Sequence, residues 1–157
     1  MIGTVTVLVL MFLTYGRFGF YANVALVINV LMILSVMALA NATLTLPGIA
    51  GFVLTVGAAV DANVLINERI REEVRRGRRV FQAMEFGYKE ASRAIYDANI
   101  TNVIAAVLLF LFGSGPIRGF AVVLMIGIVT SVFTAVVITR MWASGWVKKN
   151  RPQTLNV

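Results

Sequence analysis

Neither cysteine nor histidine occurs among the 157 residues, and these absences narrow the chemistry before any motif is read. No disulfide framework or thiolate metal site is available without cysteine, and without histidine the usual zinc ligand and neutral-pH base are missing. Acid–base work falls to the seven carboxylates. No Gly-x-x-x-x-Gly-Lys-Ser/Thr loop is present to cradle a nucleotide, so neither a metal, a cofactor nor a set of catalytic residues is expected. Charge is scarce as well: 13% of residues are charged, against about 25% in an ordinary soluble domain. With 59% hydrophobic content the chain is too apolar for a water-soluble globule and belongs in a lipid bilayer. Its net charge of +7 does not point to nucleic acid, because the basic residues flank apolar runs and form no basic face with stacking aromatics.

What is present is a succession of long apolar runs. Five stand out, at residues 2–15, 20–40, 47–67, 95–112 and 117–142. Backbone polar groups in hydrocarbon must be satisfied within the segment, so such runs are expected to be helices, and the alternation of a barrel strand is absent. The expected fold is all-α: a polytopic membrane helix bundle spanning 1–146, with a basic tail at 147–157. The first run stops near Tyr15, short of the roughly 20 residues of a full crossing. No charged leader or cleavage site precedes it, so the chain is expected to begin inside a longer protein. Residues 68–94 are charged and helix-favouring, interrupted at Gly77. Val80, Met84, Gly87, Ala91 and Ile95 recur there at helical spacing. An amphipathic cytoplasmic helix lying against the membrane is expected, the alternative being a solvated linker helix.

Lys and Arg placement predicts orientation. Thirteen of the 14 fall on one side of the five-run topology, and Arg118, in the turn after Gly113, falls on the other. This predicts an outside N-terminus and a cytoplasmic C-terminus in a multi-pass membrane protein. Pro47 and Pro116 each open a run, where a missing N–H is harmless. Tyr21, Trp142 and Trp146 lie near the cytoplasmic ends, as an aromatic belt would.

Asp61 is the acid in the third run, and the only Lys or Arg inside any run, Arg118 and Arg140, stand at the two ends of the fifth, so no cation lies within the apolar part of a run to neutralise it. A charge at the centre of a membrane helix costs roughly 2.5–3.5 kcal/mol, and holding an aspartate neutral near pH 7 costs roughly 4 kcal/mol. Terms so close allow a small rearrangement to load or release a proton. Gly48, Gly51, Thr55, Ala58 and Ala62 step by three and four along the same run, with Gly57 beside them. Such a stripe lets another helix approach closely, and Asp61 beside it is expected to face protein. The tripeptide Asp61-Ala62-Asn63 recurs as Asp97-Ala98-Asn99, which suggests a related polar site on adjacent helices and makes Asp61, Asn63, Asp97 and Asn99 the candidate proton relay. The alternatives are a protonated Asp61 hydrogen-bonded to its neighbour and an Asp97 that complements a helix dipole. Asn29 and Asn102 read as interhelical hydrogen-bonding residues, and Glu68, Arg69, Glu72, Glu73 and Arg76 as surface pairs at helical spacing. An intramembrane aspartyl protease would need Tyr-Asp on one helix and Gly-x-Gly-Asp on the next. Tyr96-Asp97 supplies the first, whereas Ala58-Ala59-Val60-Asp61 does not supply the second.

LTLPGIAGFVLTVGAAVDANVLINERIREEVRRG (Leu44 to Gly77), YDANITNVIAAVLLFLFGSGPIRGFAVVLMIGI (Tyr96 to Ile128) and the TSVFTAVVITR that follows resemble the SecD family of protein-export membrane subunits. SecD is similar to the resistance-nodulation-division transporters, so the resemblance implies a bundle of that type in the bacterial inner membrane. It also implies assembly with SecF beside the SecYEG translocon, with YajC and YidC as further associates, and use of the proton gradient in preprotein export. The family's acidic position maps onto Asp61, with Asn63 in the same motif, and charged groups from SecF complete its proton site. Family members carry a further transmembrane helix and a large periplasmic domain ahead of the position of Met1. This stretch alone is therefore not expected to grip a preprotein. Other readings of the residues are an exporter of small molecules or lipids and a scaffold without proton coupling.

Overall fold

The computed structural model describes residues 2–155 and 157, and the described residues are helical with no strand. The helices are α1 (Ile2–Leu39), α2 (Leu46–Arg75), α3 (Val80–Phe112), α4 (Pro116–Val132) and α5 (Thr139–Asn150). A π-helical stretch, Phe133–Ile138, joins α4 to α5 without a break. By length and composition α1, α2, α3 and the joined Pro116–Asn150 helix are each able to cross a membrane. Large apolar side chains such as Leu31, Leu54, Ile100, Leu111 and Val129 are exposed. A soluble monomer rarely displays so much apolar surface, and a bilayer covers it.

α1 is not straight. Gly16 has φ 54° and ψ −120°, a backbone conformation that breaks the helix. Asn23 Nδ2 donates to the Leu8 carbonyl at 2.9 Å, and Gly19 presses on the Met11 backbone. A straight helix would hold Gly19 and Met11 about 12 Å apart, so the two arms of α1 fold back on one another. The runs at 2–15 and 20–40 are these arms.

At the head of α2, Thr45 caps the helix by accepting from the Gly48 N–H at 3.1 Å, with Pro47 in the first turn. Gly48 and Gly51 let α4 close in, and Thr55 fills the space left by Gly127. The stripe differs from expectation at one position: Gly48, Gly51, Thr55 and Ala62 are buried as expected, but the fourth contact is Ala59, while Gly57 and Ala58 point outward. At 100° per residue, Ala58 lies about 80° off the direction of Gly48 and Ala59 only about 20°.

The expected cytoplasmic helix over 68–94 is replaced by a hairpin. α2 continues to Arg75, the chain turns through Gly77 at φ +82°, and α3 begins at Val80. The stripe expected to lie on the membrane, Met84, Gly87, Ala91 and Ile95, is buried in the bundle core with Ile66 and Ile70 of α2. Missing a side chain, Gly87 brings α3 onto the backbone of Ile70. The charged arm stays helical because its ion pairs run along the helix: Arg69–Glu72 at 2.8 Å, Arg71–Glu68 at 2.8 Å and Arg76–Glu72 at 2.7 Å. Glu73 pairs with Arg76 and Arg78, not with Arg69. The segment 147–157 is not a free tail either: its start completes α5, and Leu155 and Val157 pack on the core.

Most of the core lies at the end that carries the basic residues, around Tyr15, Phe18, Ile70, Met84, Tyr88 and Ala143. Tyr15 donates to Glu68 at 2.7 Å and Arg140 to Glu85 at 2.8 Å, which ties α1 to α2 and α5 to α3 there. Arg118 sits at the opposite end and donates to the Gly113 carbonyl at 2.9 Å.

Candidate functional site

Helix register brings the candidate polar residues to one depth. Gly87 lies on Ile70, and α2 and α3 run in opposite directions. Nine residues separate Asp61 from Ile70 and Gly87 from Tyr96, so Asp61 is level with Tyr96–Asp97. Thr55 contacts Gly127 on the parallel α4, and six residues further along each helix put Asp61 level with Phe133. The second arm of α1 runs against α5, with Tyr21 beside Trp142 at 6.2 Å between ring centroids. Eight residues onward from Tyr21 and eight back from Trp142, Asn29 is level with Thr134. Asn29, Asp61–Asn63, Asp97–Asn99 and Ser131–Thr134 therefore form a polar layer across the bundle.

Within this layer the side chains divide into an inward and an outward set. Asn63 is buried and donates to the Ala59 carbonyl at 3.0 Å; Asn99, half-buried, donates to the Ile95 carbonyl at 2.7 Å. Each asparagine of the repeated tripeptide thus bonds one turn back in its own helix. Thr130 and Thr134 do the same, to Ile126 and Ser131. Neither amide atom of Asn29, which is fully buried, has a protein partner, and Asn102 is exposed. The interhelical bonds expected of these two residues do not form. The carbonyl-directed hydroxyls surround the π-helical stretch, where Thr139 also bonds back to Ala135. Ser and Thr that bond back in this way bend helices, and wide turns of this kind recur at functional sites.

Asp61 belongs to the outward set. It is exposed and, among the described residues, takes part in no ion pair or side-chain hydrogen bond. It does not face the rest of this chain: thirteen residues beyond Gly48, it points about 140° away from the buried stripe. Gly57 and Ala58, one turn earlier, share its face, and a Cβ placed on Gly57 would meet nothing within 4 Å. Asp97 is exposed too, in different surroundings. It lines an open groove of about 580 Å³ together with Lys89, Arg93, Arg140, Glu85 and Tyr96. The two acids of the repeat thus share a depth and differ in the cations around them. Sequence reasoning found the two acids and the amides but missed Ser131, Thr134 and the π turn. Four hydroxyl residues, Thr130, Ser131, Thr134 and Thr139, in a largely apolar run were the available signal.

No group of three or more His, Cys, Asp or Glu side chains able to hold a metal ion occurs among the described residues. The layer contains neither a nucleophile paired with a base nor a ligand cage. What it offers is an ionisable side chain facing out of the bundle at the depth of a band of amides and hydroxyls.

Residues 1–149 match a family described as protein export membrane protein SecD/SecF, C-terminal. The chain is 53% identical over 157 residues to the protein translocase subunit SecD of Magnetococcus marinus and 51% identical over 156 residues to that of Acetobacter pasteurianus. It is covered to 100% and 99% in these comparisons and spans 30% of the length of either relative. Two crystal structures share the fold. SecDF from Thermus thermophilus, described as a translocon-associated membrane protein, superposes with a TM-score of 0.90 at 43% identity, over 97% of this chain and 21% of its own. SecDF in a super-membrane-facing form gives 0.89 at 44% identity, over 94% and 20%.

Proposed function

The chain belongs to the SecD/SecF family of protein export membrane proteins, and from that premise we propose that it is the membrane-embedded coupling unit of a bacterial Sec export subunit. In this reading the two arms of α1 count separately, giving five membrane segments in a bundle of the resistance-nodulation-division type. The basic end faces the cytoplasm, as the segregation of Lys and Arg favours. SecF covers the face that carries Gly57, Ala58 and Asp61, the assembly works beside SecYEG with YajC and YidC, and preprotein is engaged outside this segment.

The observation that carries this reading is the outward Asp61, on a helix able to cross a membrane, with no cation paired to it among the described residues. Asp61 alternates between a protonated state and an ionised state paired with a SecF cation, and the exchange biases two packings of the joined bundle. One charge moved across 100 mV is worth about 2.3 kcal/mol, roughly fiftyfold in a two-state equilibrium. Asn63, Asp97 and Asn99 act as accessory members of the relay. No catalytic chemistry is involved.

The test is translocation in inverted membrane vesicles that carry the full-length protein with Asp61→Asn. Stimulation by the proton gradient is expected to disappear while assembly with SecF and SecYEG persists, and Asp97→Asn is expected to have the milder effect. Undiminished stimulation in Asp61→Asn would refute coupling and leave a scaffold. Purification as a self-contained oligomer without SecF would favour an exporter.

A further inference from the structure

Two grooves meet at Trp146, between the second arm of α1 and α5. One, of about 650 Å³, is lined by Arg17; the other, of about 520 Å³, by Lys149. Phe20 and Tyr21 line both. No acid lines either groove, and neither Arg17 nor Lys149 belongs to an ion pair among the described residues. The Arg17 guanidinium lies over the Trp146 ring, 5.3 Å from its centroid. Phe18 meets the same ring edge-on at 6.3 Å. The indole Nε1 of Trp146 is buried and has no protein partner. Two unpaired cations thus border one aromatic cleft. From it an apolar track leads toward the middle of the bundle past Val24 and Met141.

We propose that this cleft is a binding site for an anionic phospholipid of the leaflet at the basic end of the bundle. The headgroup phosphate sits between Arg17 and Lys149, and an acyl chain lies along the track between α1 and α5. The pairing of groups selects this occupant. Tyr and Trp rings gather at the headgroup level of a bilayer, and basic pockets between membrane helices on one face take acidic headgroups. A single lipid molecule carries both the anion and the hydrocarbon that the two halves of the cleft require. An acidic peptide satisfies the cations and leaves the track bare; inorganic phosphate does likewise.

The probe is phosphatidylglycerol brominated on its acyl chains, titrated into the purified protein reconstituted in phosphatidylcholine membranes. The readout is quenching of the Trp142 and Trp146 fluorescence, isolated by difference from the Trp142→Phe/Trp146→Phe protein. Brominated phosphatidylglycerol is expected to quench at a lower mole fraction than brominated phosphatidylcholine, and inorganic phosphate in the buffer leaves this preference intact. Lys149→Gln and Arg17→Gln each weaken the preference by about fivefold, and Arg17→Lys retains most of it. Lys149 is exposed in the last turn of α5, so its variant carries the test even if Arg17→Gln disturbs folding. Equal quenching by the two lipids, an unchanged preference in Lys149→Gln, or displacement by inorganic phosphate would overturn the proposal. So would the absence of quenching by either lipid, which would mean that protein covers the cleft.

Discussion

Gly87→Ala is the sharpest probe of the α2–α3 hairpin that sets the depth of both acids. A Cβ at position 87 would lie 2.6 Å from Ile70 Cγ1 and 2.8 Å from the Ile70 Cα and N. Carbon atoms pack at about 3.5–4.0 Å, so the helices must separate by roughly 1 Å. Because two of the three nearest atoms are backbone, no rotamer change relieves the contact. Overpacking of this kind costs about 1–3 kcal/mol, whereas glycine to alanine within a helix returns about 0.5–1 kcal/mol of backbone preference. Gly57→Ala removes the second effect from the comparison, since its Cβ meets nothing within 4 Å. In equilibrium unfolding of the protein in mixed micelles, Gly87→Ala is expected to be less stable than Gly57→Ala by about 1–3 kcal/mol. Equal stabilities would refute the close approach of α3 to Ile70, and with it the register that sets Asp61 level with Asp97.

Two further outcomes follow from the same burial pattern. Gly57→Leu is expected to leave the fold of this chain unchanged, as nothing lies near its Cβ, while reducing co-purification with SecF; retention of both would count against docking on that face. Asn29 is fully buried and neither amide atom has a protein partner. Asn29→Leu, which replaces a buried amide with an apolar group of similar size, should therefore be neutral or stabilising in the same unfolding assay; a loss of more than about 1 kcal/mol would show that the amide is engaged.

Apolar run length and Lys/Arg position were enough to read helices, their starts at the two prolines and the segregation of charge, because those features depend on one segment at a time; the ends among the charged residues, Arg75, Val80 and Asn150, were not read. Pro47 and Pro116 mark helix starts as expected, and Gly77 marks the turn. What the residues did not reveal depends on which neighbour a face meets. Val80, Met84, Gly87, Ala91 and Ile95 have the spacing of a surface-lying helix, but the same spacing suits packing on Ile66 and Ile70, and bringing the helices into contact through Gly87 selects the second. At position 16 the break in α1 falls between the two apolar runs read from the sequence, beside Arg17, but the way its arms fold back on one another was not read. The stripe from Gly48 to Ala62 was legible, but its rotation was not. Ala58 and Ala59 are both small, and only the path of α4 decides between them.

That rotation determines what Asp61 can do. Had Ala58 been the buried contact, the helix would turn Asp61 toward α4 and its hydroxyls, where a carboxyl finds partners within its own chain. With Ala59 buried, Asp61 instead faces out beside Gly57 and Ala58, the place on α2 where a foreign helix can come closest. An unpaired charge directed at lipid there costs roughly 2.5–3.5 kcal/mol, a penalty that a cation on an approaching helix removes. Asp97, at the same depth, has Lys89, Arg93 and Arg140 around its groove, although among the described residues it is ion-paired with none of them. On the proposed function, the repeated tripeptide supplies one acid in a groove lined by cations of its own chain and one that awaits a cation from a partner subunit, and it is the second that would make packing between subunits respond to a proton.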